Sequence, residues 1–379
     1  MSLFFIGVFA LYSGLHYYIF TKVREAFSPG LGAILALLAT MLFMVAAPLL
    51  VYYLEKQGLS SPARLLAYVG YLWMGFAFLF FTASILLDLY RLLAYFIGWA
   101  FPFRLPSPSP YWQFLLPLLI SLTTGTYGYF EALHIRTERV ILKTSKIPKE
   151  LSPVRIVQIS DVHLGMIVRE ERLSRILQEV KKANPDLFLS TGDLVDAQVN
   201  RLNHLSDLLG GIRPRWGKFA VTGNHEYYAG LAESLEFTRQ SGFRLLRGEG
   251  LTIGGCLNLA GVDDPTGQAF GEAPGVPEAE LLARLPRDRF TILLKHRPVL
   301  DPSSRGHFDL QISGHTHKGQ ILPFRLGTRI FFRFIGGLYR FSDGTVLYTS
   351  RGTGTWGPPI RFLTPPEVTL YELIYEEKS

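Results

Sequence analysis

The strongest constraint on this chain is a set of long stretches without a charged side chain. Asp, Glu, Lys and Arg are absent from four of them, residues 1–21, 26–54, 65–87 and 105–130. Each stretch is at least as long as the roughly 20 residues that cross about 30 Å of hydrocarbon. We therefore predict four transmembrane helices, near 3–20, 31–53, 66–87 and 111–132. The apolar piece 92–103 is shorter and contains Pro102, so we interpret it as a re-entrant or interfacial segment.

The charged residues divide the chain at the same place. Residues 1–133 contain 10 of them, whereas the other 246 residues contain 59. We predict a four-helix transmembrane anchor at 1–133, a basic juxtamembrane linker at 134–152, and a domain at 153–379 that carries the chemistry described below. Because the predicted spans contain no paired acidic and basic side chains, an anchor is favoured over a transport path.

Charge and cysteine content exclude several classes of protein. Residues 151–379 carry 27 basic and 25 acidic side chains, so the formal net charge of +7 does not indicate a nucleic-acid-binding surface. The single cysteine, Cys256, excludes an intramolecular disulfide and a Cys-based zinc site. Seven Lys and Arg residues flank the spans on the side of the C-terminal domain and four flank them on the other. The positive-inside rule then predicts an integral protein of the cell membrane with a cytoplasmic domain.

Five short apolar runs in the C-terminal region each end in metal-binding residue types. We predict strands at 154–159, 186–190, 218–221, 290–294 and 308–312, with an amphipathic helix near 171–183. The residues that follow these strands are Asp161 and His163, Asp193 and Asp196, Asn224 to Glu226, His296 and Arg297, and His315 and His317. Because sites in layered α/β folds assemble at the carboxyl ends of strands, we expect one convergent site.

The residue types suit two divalent cations. Asp161 and His163 are alternate residues of an extended loop, so both side chains can bind one metal. His315 and His317 either repeat this arrangement or direct their rings toward different metals. The two oxygens of Asp193 allow it to bridge two ions. Nitrogen and oxygen ligands without sulfur favour Mn, Fe or Zn, and two such ions about 3.5–4 Å apart activate water and hold a phosphoryl group.

The motifs Asp-x-His, Gly-Asp-x-x-Asp, Gly-Asn-His-Glu, a later His and Gly-His-x-His occur in this order, and together they resemble the calcineurin-like metallophosphoesterase superfamily. The resemblance covers about 153–379 and implies a four-layer α/β/β/α sandwich. The ligands that it implies for the first metal are Asp161, His163 and His317. Those that it implies for the second are Asn224, His296 and His315, with Asp193 shared. It also implies that His225 stabilises the transition state and protonates the leaving oxygen.

Several neighbouring residues have weaker interpretations. We expect Asp196 and Glu226 to orient the ligands by hydrogen bonds. Arg297 either binds phosphate or is a surface residue. Lys318 stands where many relatives have glycine, and it either contacts a substrate phosphate or points to water. Serine/threonine phosphatases have Arg-Gly where this chain has Ala197 and Gln198, which argues against a protein phosphatase.

The expected function is that of a membrane-anchored, binuclear metal-dependent phosphohydrolase, in which a metal-bridged hydroxide attacks a phosphoester or pyrophosphate bond of a lipid-linked substrate. Some membrane-anchored relatives cleave UDP-2,3-diacylglucosamine, so a pyrophosphatase of that type in lipid A synthesis is an alternative. A phosphodiesterase acting on soluble nucleotides is another. Outside the enzyme class, the alternative is a metal-binding sensor or scaffold.

Two further segments stand out in the C-terminal region. Residues 329–341 interleave aromatic residues with arginines, which is typical either of a lip at the membrane interface, in contact with membrane lipid, or of a strand pair whose Phe side chains lie in the core. Residues 263–277 are rich in Gly and Pro and predict a loop near the site.

Overall fold

The computed structural model describes residues 2–196 and 202–377. The chain forms two compact units: one contains Met1–Phe130 and Gly357–Ile360, and the other contains Glu131–Trp356 and Arg361–Ser379. Ala197 and Gln198, which bear on the protein phosphatase alternative, lie outside the described residues.

The first unit is helical. Its helices are α1 (Ser2–Phe27), α2 (Leu31–Lys56), α3 (Ser60–Ala100) and α4 (Pro110–Glu131). A helix is thus present at each of the four predicted positions. Within the described residues, only α2 and α3 are both long and apolar enough to cross a membrane. The N-terminal region therefore contains two candidate spans.

The interpretation of residues 92–103 as a separate segment is wrong, because α3 continues without a break to Ala100. Asp88 and Arg91, which end the charge-free stretch, lie one turn apart on α3 and form an ion pair of 3.2 Å. Pro102 follows the helix instead of interrupting it. Asp88 also pairs with the buried Lys22 of α1 at 2.7 Å. The helical unit therefore does contain a paired acid and base, just outside the predicted spans.

The second unit is built from twelve strands and seven helices within its described residues. The strands are β1 (Arg136–Thr144), β2 (Val154–Ile159), β3 (Leu187–Ser190), β4 (Lys218–Ala220), β5 (Arg244–Leu245), β6 (Glu249–Ile253), β7 (Leu257–Gly261), β8 (Phe290–Leu294), β9 (Leu310–Ser313), β10 (Gly337–Arg340), β11 (Val346–Thr349) and β12 (Glu367–Tyr375). The helices are α5 (Glu170–Ala183), α6 (Asn203–Gly210), α7 (Asn224–Tyr228), α8 (Leu231–Gln240), α9 (Thr266–Ala269), α10 (Glu278–Ala283) and α11 (Phe324–Phe331).

These strands form two mixed sheets with the orders β1-β12-β2-β3-β4-β5 and β10-β11-β9-β8-β7-β6. One core contains buried residues of both sheets, such as Ile156 and Leu189 of the first and Ile292 and Ile312 of the second. The α/β fold is thus confirmed. The predicted strands at 154–159 and 290–294 match β2 and β8 residue for residue, and the other three lie within two residues of β3, β4 and β9.

The segment predicted as a linker, 134–152, is not a linker over its whole length, because it contains β1. This strand pairs in parallel with β12, from Arg136 opposite Glu367 to Thr144 opposite Tyr375. Val140 and Leu142 are buried, whereas Arg139, Ile141 and Lys143 alternate with them on the exposed face. A strand with one exposed face needs apolar residues only on its buried face. The charged residues of β1 therefore looked like the basic flank of a membrane span.

Helix α5 connects two strands that carry metal motifs. Its buried residues Leu173, Ile176, Leu177 and Val180 recur at helical spacing, and they place one apolar stripe against the domain. Asn184 ends the helix in the left-handed conformation (φ 46°). The chain then returns as β3, which pairs in parallel with β2. This crossover brings the loops after both strands to the same edge of the sheet.

The two remaining segments are more regular than predicted. Residues 263–277 contain the short helix α9 within the predicted loop. Residues 329–341 contain the end of α11 and all of β10. The prediction of a strand pair with Phe side chains in the core is wrong, because residues 329–331 are helical and Phe331 is exposed. Strand β10 pairs with β11, which lies outside the segment, and Phe332, Phe334 and Phe341 are only half-buried. The interpretation as a lip at the membrane interface stays a prediction.

Candidate metal centre

The sheet topology gathers the predicted ligands. Strands β2, β3 and β4 are parallel neighbours, and so are β8 and β9. Their carboxyl ends present loops that converge. The side chains brought together are Asp161, His163, Asp193, Asn224, His296, His315 and His317.

One group consists of Asp161, His163 and His317, which are all buried. The Nε2 atoms of His163 and His317 lie 3.0 Å apart. The Nε2 atom of His317 also lies 3.5 Å from Oδ1 of Asp161. Three ligand atoms thus converge on one small volume.

A second group surrounds His296. Its Nε2 atom lies 3.2 Å from Oδ2 of Asp193, 3.2 Å from Oδ1 of Asn224 and 3.1 Å from Nδ1 of His315. The other ring nitrogen of His296, Nδ1, is 2.8 Å from the carbonyl oxygen of Thr191. This contact fixes the ring orientation, as is common for imidazoles that bind metals.

The spacing of these atoms fits bound cations. Ligands that each lie about 2.0–2.2 Å from one metal are about 3.0–3.5 Å from one another in octahedral or tetrahedral geometry. The distances within both groups fall in or near this range. Atoms whose lone pairs converge in this way repel one another unless a cation or a proton lies between them. The donor set itself suits Mn, Fe or Zn.

Asp193 lies between the two groups. Its Oδ2 atom is 3.2 Å from Nε2 of His296 and 3.9 Å from Nε2 of His163. Its Oδ1 atom accepts a hydrogen bond from the backbone N–H of His225 at 2.8 Å. The carboxylate is therefore held in one orientation by the chain while its second oxygen faces histidines of both groups.

The ligand loops store backbone strain. Asp161, His163, Asp193, His315 and His317 all have positive φ, between 48° and 71°. A non-glycine residue pays roughly 1–2 kcal/mol for this left-handed conformation. Asp161 and His163 therefore converge through a turn and not through the extended loop that we predicted.

Glycines beside the ligands provide the space that the site needs. A Cβ atom on Gly314 would lie 1.9 Å from Oγ of Ser160 and 2.3 Å from Oδ2 of Asp161. A Cβ atom on Gly223 would lie 2.2 Å from Oδ1 of Asp193. Both motifs therefore require glycine because a ligand carboxylate occupies the position of the side chain.

Backbone amides orient two of the carboxylates. The N–H of His315 donates to both oxygens of Asp161 at 3.0 Å. The carboxylate of Glu226 accepts from the backbone N–H groups of Asp193, Leu194 and Gly223, at 3.0, 2.8 and 2.6 Å. Glu226 thus holds the loop that carries Asp193.

His225 lies at the edge of the two groups, and its ring meets that of His163 edge-on with centroids 4.6 Å apart. Its Nδ1 atom is 2.8 Å from Oδ1 of Asp196. Burial alone lowers the pKa of His225, but the carboxylates of Asp193 and Asp196 outweigh it and raise the pKa to about 9. The two carboxylates therefore favour the protonated form of His225.

The pKa values of two of the predicted ligand histidines shift in opposite directions. Burial disfavours the charged form of His296, yet Asp193 and Asp161 raise its pKa to about 10, so this ring has to release a proton when it binds a metal. Burial and the neighbouring Arg361 hold the pKa of His317 well below its ordinary value. His317 is therefore neutral, which is the form that binds a metal.

Sequence reasoning missed Arg361, whose side chain is fully buried. Its guanidinium contacts Nδ1 of His317 at 3.0 Å and donates to the carbonyl oxygens of His317 and Arg351 at 3.2 and 2.6 Å. It thereby connects a ligand histidine to the C-terminal part of the domain. A single arginine in a Pro-rich segment carries no motif that would have identified it.

Two weaker predictions receive partners in the structure. Arg297 binds both carboxylate oxygens of Asp264 at 2.8 and 3.0 Å and also Oγ1 of Thr266 at 2.8 Å, so it anchors the loop at 263–277. The Lys318 side chain packs against Gly336. It lines a cavity of about 350 Å³ together with Arg351 and Glu367.

Comparisons with known proteins agree with this geometry. Residues 154–319 match the family model described as calcineurin-like phosphoesterase. An uncharacterized metallophosphoesterase of Aquifex aeolicus is 38% identical over 256 residues, which cover 67% of this chain and 97% of that protein. An uncharacterized metallophosphoesterase of Bacillus subtilis is 32% identical over 265 residues, 66% of this chain and 90% of its own length.

A third relative is named for its membrane segment. The transmembrane protein with metallophosphoesterase domain of Danio rerio is 33% identical over 271 residues, which cover 68% of this chain and 62% of that protein. This name and the two apolar helices of the present chain both indicate membrane association. From the ordered motifs, the converging ligands and these similarities, the chain belongs to the calcineurin-like metallophosphoesterases, a family of metal-dependent phosphoester hydrolases.

Proposed function

We propose that the protein is a membrane-anchored phosphohydrolase with two metal ions, acting on a lipid-linked phosphoester or pyrophosphate. The observation that carries the proposal is the position of Asp193, one oxygen of which faces histidines of both ligand groups at 3.2 and 3.9 Å. Asp161, His163 and His317 would hold one ion, Asn224, His296 and His315 the other, and Asp193 both. When bound, two divalent cations supply Lewis acidity and lower the pKa of water.

The residues around the ions have separable tasks. Glu226 and the N–H of His225 hold Asp193 in place through hydrogen bonds of 2.8–3.0 Å. Asp196 fixes the His225 ring through Nδ1, which leaves Nε2 to donate a proton to the departing oxygen. A protonated His225 also offsets negative charge that develops on the phosphoryl group.

The substrate class is inferred from the membrane association of the chain. A site tethered to a bilayer meets lipid-linked substrates by lateral diffusion, so a phosphoester or pyrophosphate with an acyl or prenyl portion suits it better than a soluble metabolite. We also propose that the N-terminal region is a four-helix transmembrane anchor, that the second unit is a four-layer sandwich, and that this domain is cytoplasmic. A UDP-2,3-diacylglucosamine-type pyrophosphatase is one version of it. A soluble-nucleotide phosphodiesterase and a sensor or scaffold are the outcomes that would replace it.

The site assignment is tested with the full chain in detergent and a generic aryl phosphodiester in the presence of Mn. Asp193→Ala and His225→Ala are each expected to lose at least 100-fold in turnover. Metal analysis separates their roles, because only Asp193→Ala should also lose bound metal. Undiminished turnover in both variants would contradict the assignment of these residues to the active site. Bound metal without turnover in the wild type would favour the metal-binding sensor or scaffold.

The substrate class is tested by comparing lipid-linked and soluble substrates at equal concentration. We expect kcat/KM to be at least tenfold higher for a phosphoester embedded in vesicles than for its short-chain soluble analogue. Equal values, or a preference for soluble nucleotides, would replace the lipid-linked proposal without affecting the metal assignment.

A further inference from the structure

Helix α11 has its two faces reversed relative to an ordinary surface helix. At about 100° per residue, its apolar side chains occupy an arc of about 160°, and Arg325 and Arg329 occupy the opposite side. Surface helices of globular domains turn the apolar face inward. In α11 the apolar face points outward instead: Leu326, Ile330 and Phe331 are 61%, 81% and 81% exposed.

The side of the helix that carries Arg325 rests on the domain, whereas Arg329 is exposed at the edge of the apolar face. A Cβ atom on Gly319 would lie 2.3 Å from Cα of Arg325, so the two backbones are in close contact. The Nε atom of Arg325 is enclosed and has no hydrogen-bond partner among the described residues. Because this contact is between backbones, the helix is seated in one orientation, with its apolar face directed away from the domain.

The residues that flank helix α11 lie beside the candidate metal centre. Gly319 follows His317 by two residues, and Phe332, directly after α11, contacts the His315 ring edge-on with centroids 5.0 Å apart. A partner that covered α11 would therefore be brought next to the ligand groups.

The charge of the surrounding segment selects the type of partner. Residues 310–342 contain no Asp or Glu, and they contain five basic residues, Lys318, Arg325, Arg329, Arg333 and Arg340. Exposed apolar side chains flanked by arginines match the boundary of an anionic bilayer, where acyl chains lie below phosphate groups. The chain also carries two helices long and apolar enough to cross a membrane, so a bilayer is always within reach.

We propose that α11 is an interfacial helix that inserts Leu326, Ile330 and Phe331 into the surface of an anionic membrane. Arg329 and Arg333 then contact lipid phosphates. This docking presents the metal centre to phosphoesters at the membrane surface. The docking itself does not depend on the proposed substrate, and only its catalytic consequence rests on the proposed function.

The test places a spin label on the full chain reconstituted in lipid nanodiscs. Ile330→Cys carries the label, and Gln240→Cys on the exposed end of α8 is the matched control. The native Cys256 is buried, and the unsubstituted chain measures its background labelling. In discs of phosphatidylcholine with 30% phosphatidylglycerol, we expect label 330 to be several-fold more accessible to oxygen than to a water-soluble nickel complex. Label 240 should show the reverse.

Several outcomes would overturn the proposal. Label 330 behaving like label 240 in anionic discs is one. A second is that label 330 is protected from the nickel complex in detergent and that this protection rises with protein concentration. Such a result would show that a second copy of the chain covers α11. Arg329→Glu combined with Arg333→Glu is expected to reduce the oxygen preference in anionic discs, and an unchanged preference contradicts the role of the arginines.

Activity provides a separate readout. Leu326→Ser, Ile330→Ser and Phe331→Ser combined should leave turnover of a soluble aryl phosphodiester unchanged, because all three side chains are exposed. Turnover of a vesicle-embedded phosphoester should fall at least tenfold. Equal turnover of the embedded substrate by this variant and the wild type would contradict docking. If neither substrate is hydrolysed by the wild type, the proposed function fails while the accessibility result still decides the docking.

Discussion

One carboxylate oxygen serves two histidines at the site: Oδ1 of Asp196 lies 2.8 Å from Nδ1 of His225 and 3.4 Å from Nδ1 of His163. The first ring is the proposed proton donor and the second is a proposed metal ligand. The orientation of both rings therefore depends on a residue that binds neither metal nor substrate in our assignment.

Asp196→Asn is expected to lower kcat by about 10- to 100-fold because the His225 ring loses its orienting partner. The loss of negative charge also lowers the pKa of His225. Since the protonated form is the active donor, the alkaline limb of the kcat profile should move to lower pH. Steady-state kinetics between pH 6 and 10 measure both effects.

Asp207→Asn is the matched control for this substitution, because Asp207 is exposed on α6. It should behave like the wild type. Equal kcat and an unshifted alkaline limb in Asp196→Asn, at unchanged metal content, would contradict the role assigned to the pair.

Gly314→Ala should abolish metal binding at the first ligand group and reduce turnover by at least 100-fold. The new methyl group would overlap Oγ of Ser160 and the carboxylate of Asp161, so the ligand has to move. Gly275→Ala adds the same atom where nothing lies within 4 Å, and it is expected to have no effect. Elemental analysis measures the metal content of both variants. Normal metal content in Gly314→Ala would contradict the steric argument.

Arg361→Met is expected to destabilise the domain by about 3 kcal/mol or more, because buried carbonyl groups lose a charged donor. Arg361→Lys should recover only part of this, since an ammonium group cannot reproduce the planar contacts. Arg284→Met removes an exposed ion pair between Glu280 of α10 and Arg284, directly after it, and should cost less than about 1 kcal/mol. Denaturant unfolding of each variant, with and without a chelator, measures the difference, and similar losses for the two methionine variants would contradict the prediction.

The Arg297–Asp264 pair is tested by a double-mutant cycle. If Arg297 anchors the loop, Arg297→Ala and Asp264→Ala should lower stability similarly, and the double variant should lose less than their sum. Their KM values should also rise together. A rise of KM confined to Arg297→Ala, with additive losses of stability, would show instead that the guanidinium binds substrate phosphate.

The orientation of the chain is tested with reporters fused after residue 379. A fluorescent protein that matures only in the cytoplasm is expected to be bright, and an alkaline phosphatase that is active only outside it is expected to be inactive. The physical reason is the excess of basic residues on the domain side of the predicted spans. The reverse pattern would place the domain outside the cytoplasm.

Sequence reasoning located the ligand loops because their strands are short and mostly apolar. Strands β2 and β8 are buried almost throughout, so their limits were visible as changes from apolar to polar residues. The glycines that accompany the ligands marked where backbone and carboxylate come close together. These signals are local, and the convergence of the loops follows from parallel pairing.

The missed features depend on contacts that are distant along the chain. Strand β1 resembled a basic flank because its short apolar run, residues 140–142, lies between charged residues. Arg361 is placed by carbonyl groups whose positions the sequence does not give. The positive φ angles of Asp161 and His163 result from the surrounding loops, and the outward apolar face of α11 cannot be distinguished from an inward one by periodicity alone.

Strand β12 lies between β1 and β2, and the hydroxyl group of its Tyr371 donates to Gln158 of β2, 213 positions earlier in the chain, at 2.6 Å. During synthesis, every proposed metal ligand therefore leaves the ribosome before β12, the strand that completes the sheet containing β2. A nascent chain stalled before Glu367 is expected to retain no metal, which a pull-down of stalled complexes followed by metal analysis would check. The chain would then become able to hydrolyse substrate only after β12 has paired, so an incompletely synthesised copy at the membrane would be inactive.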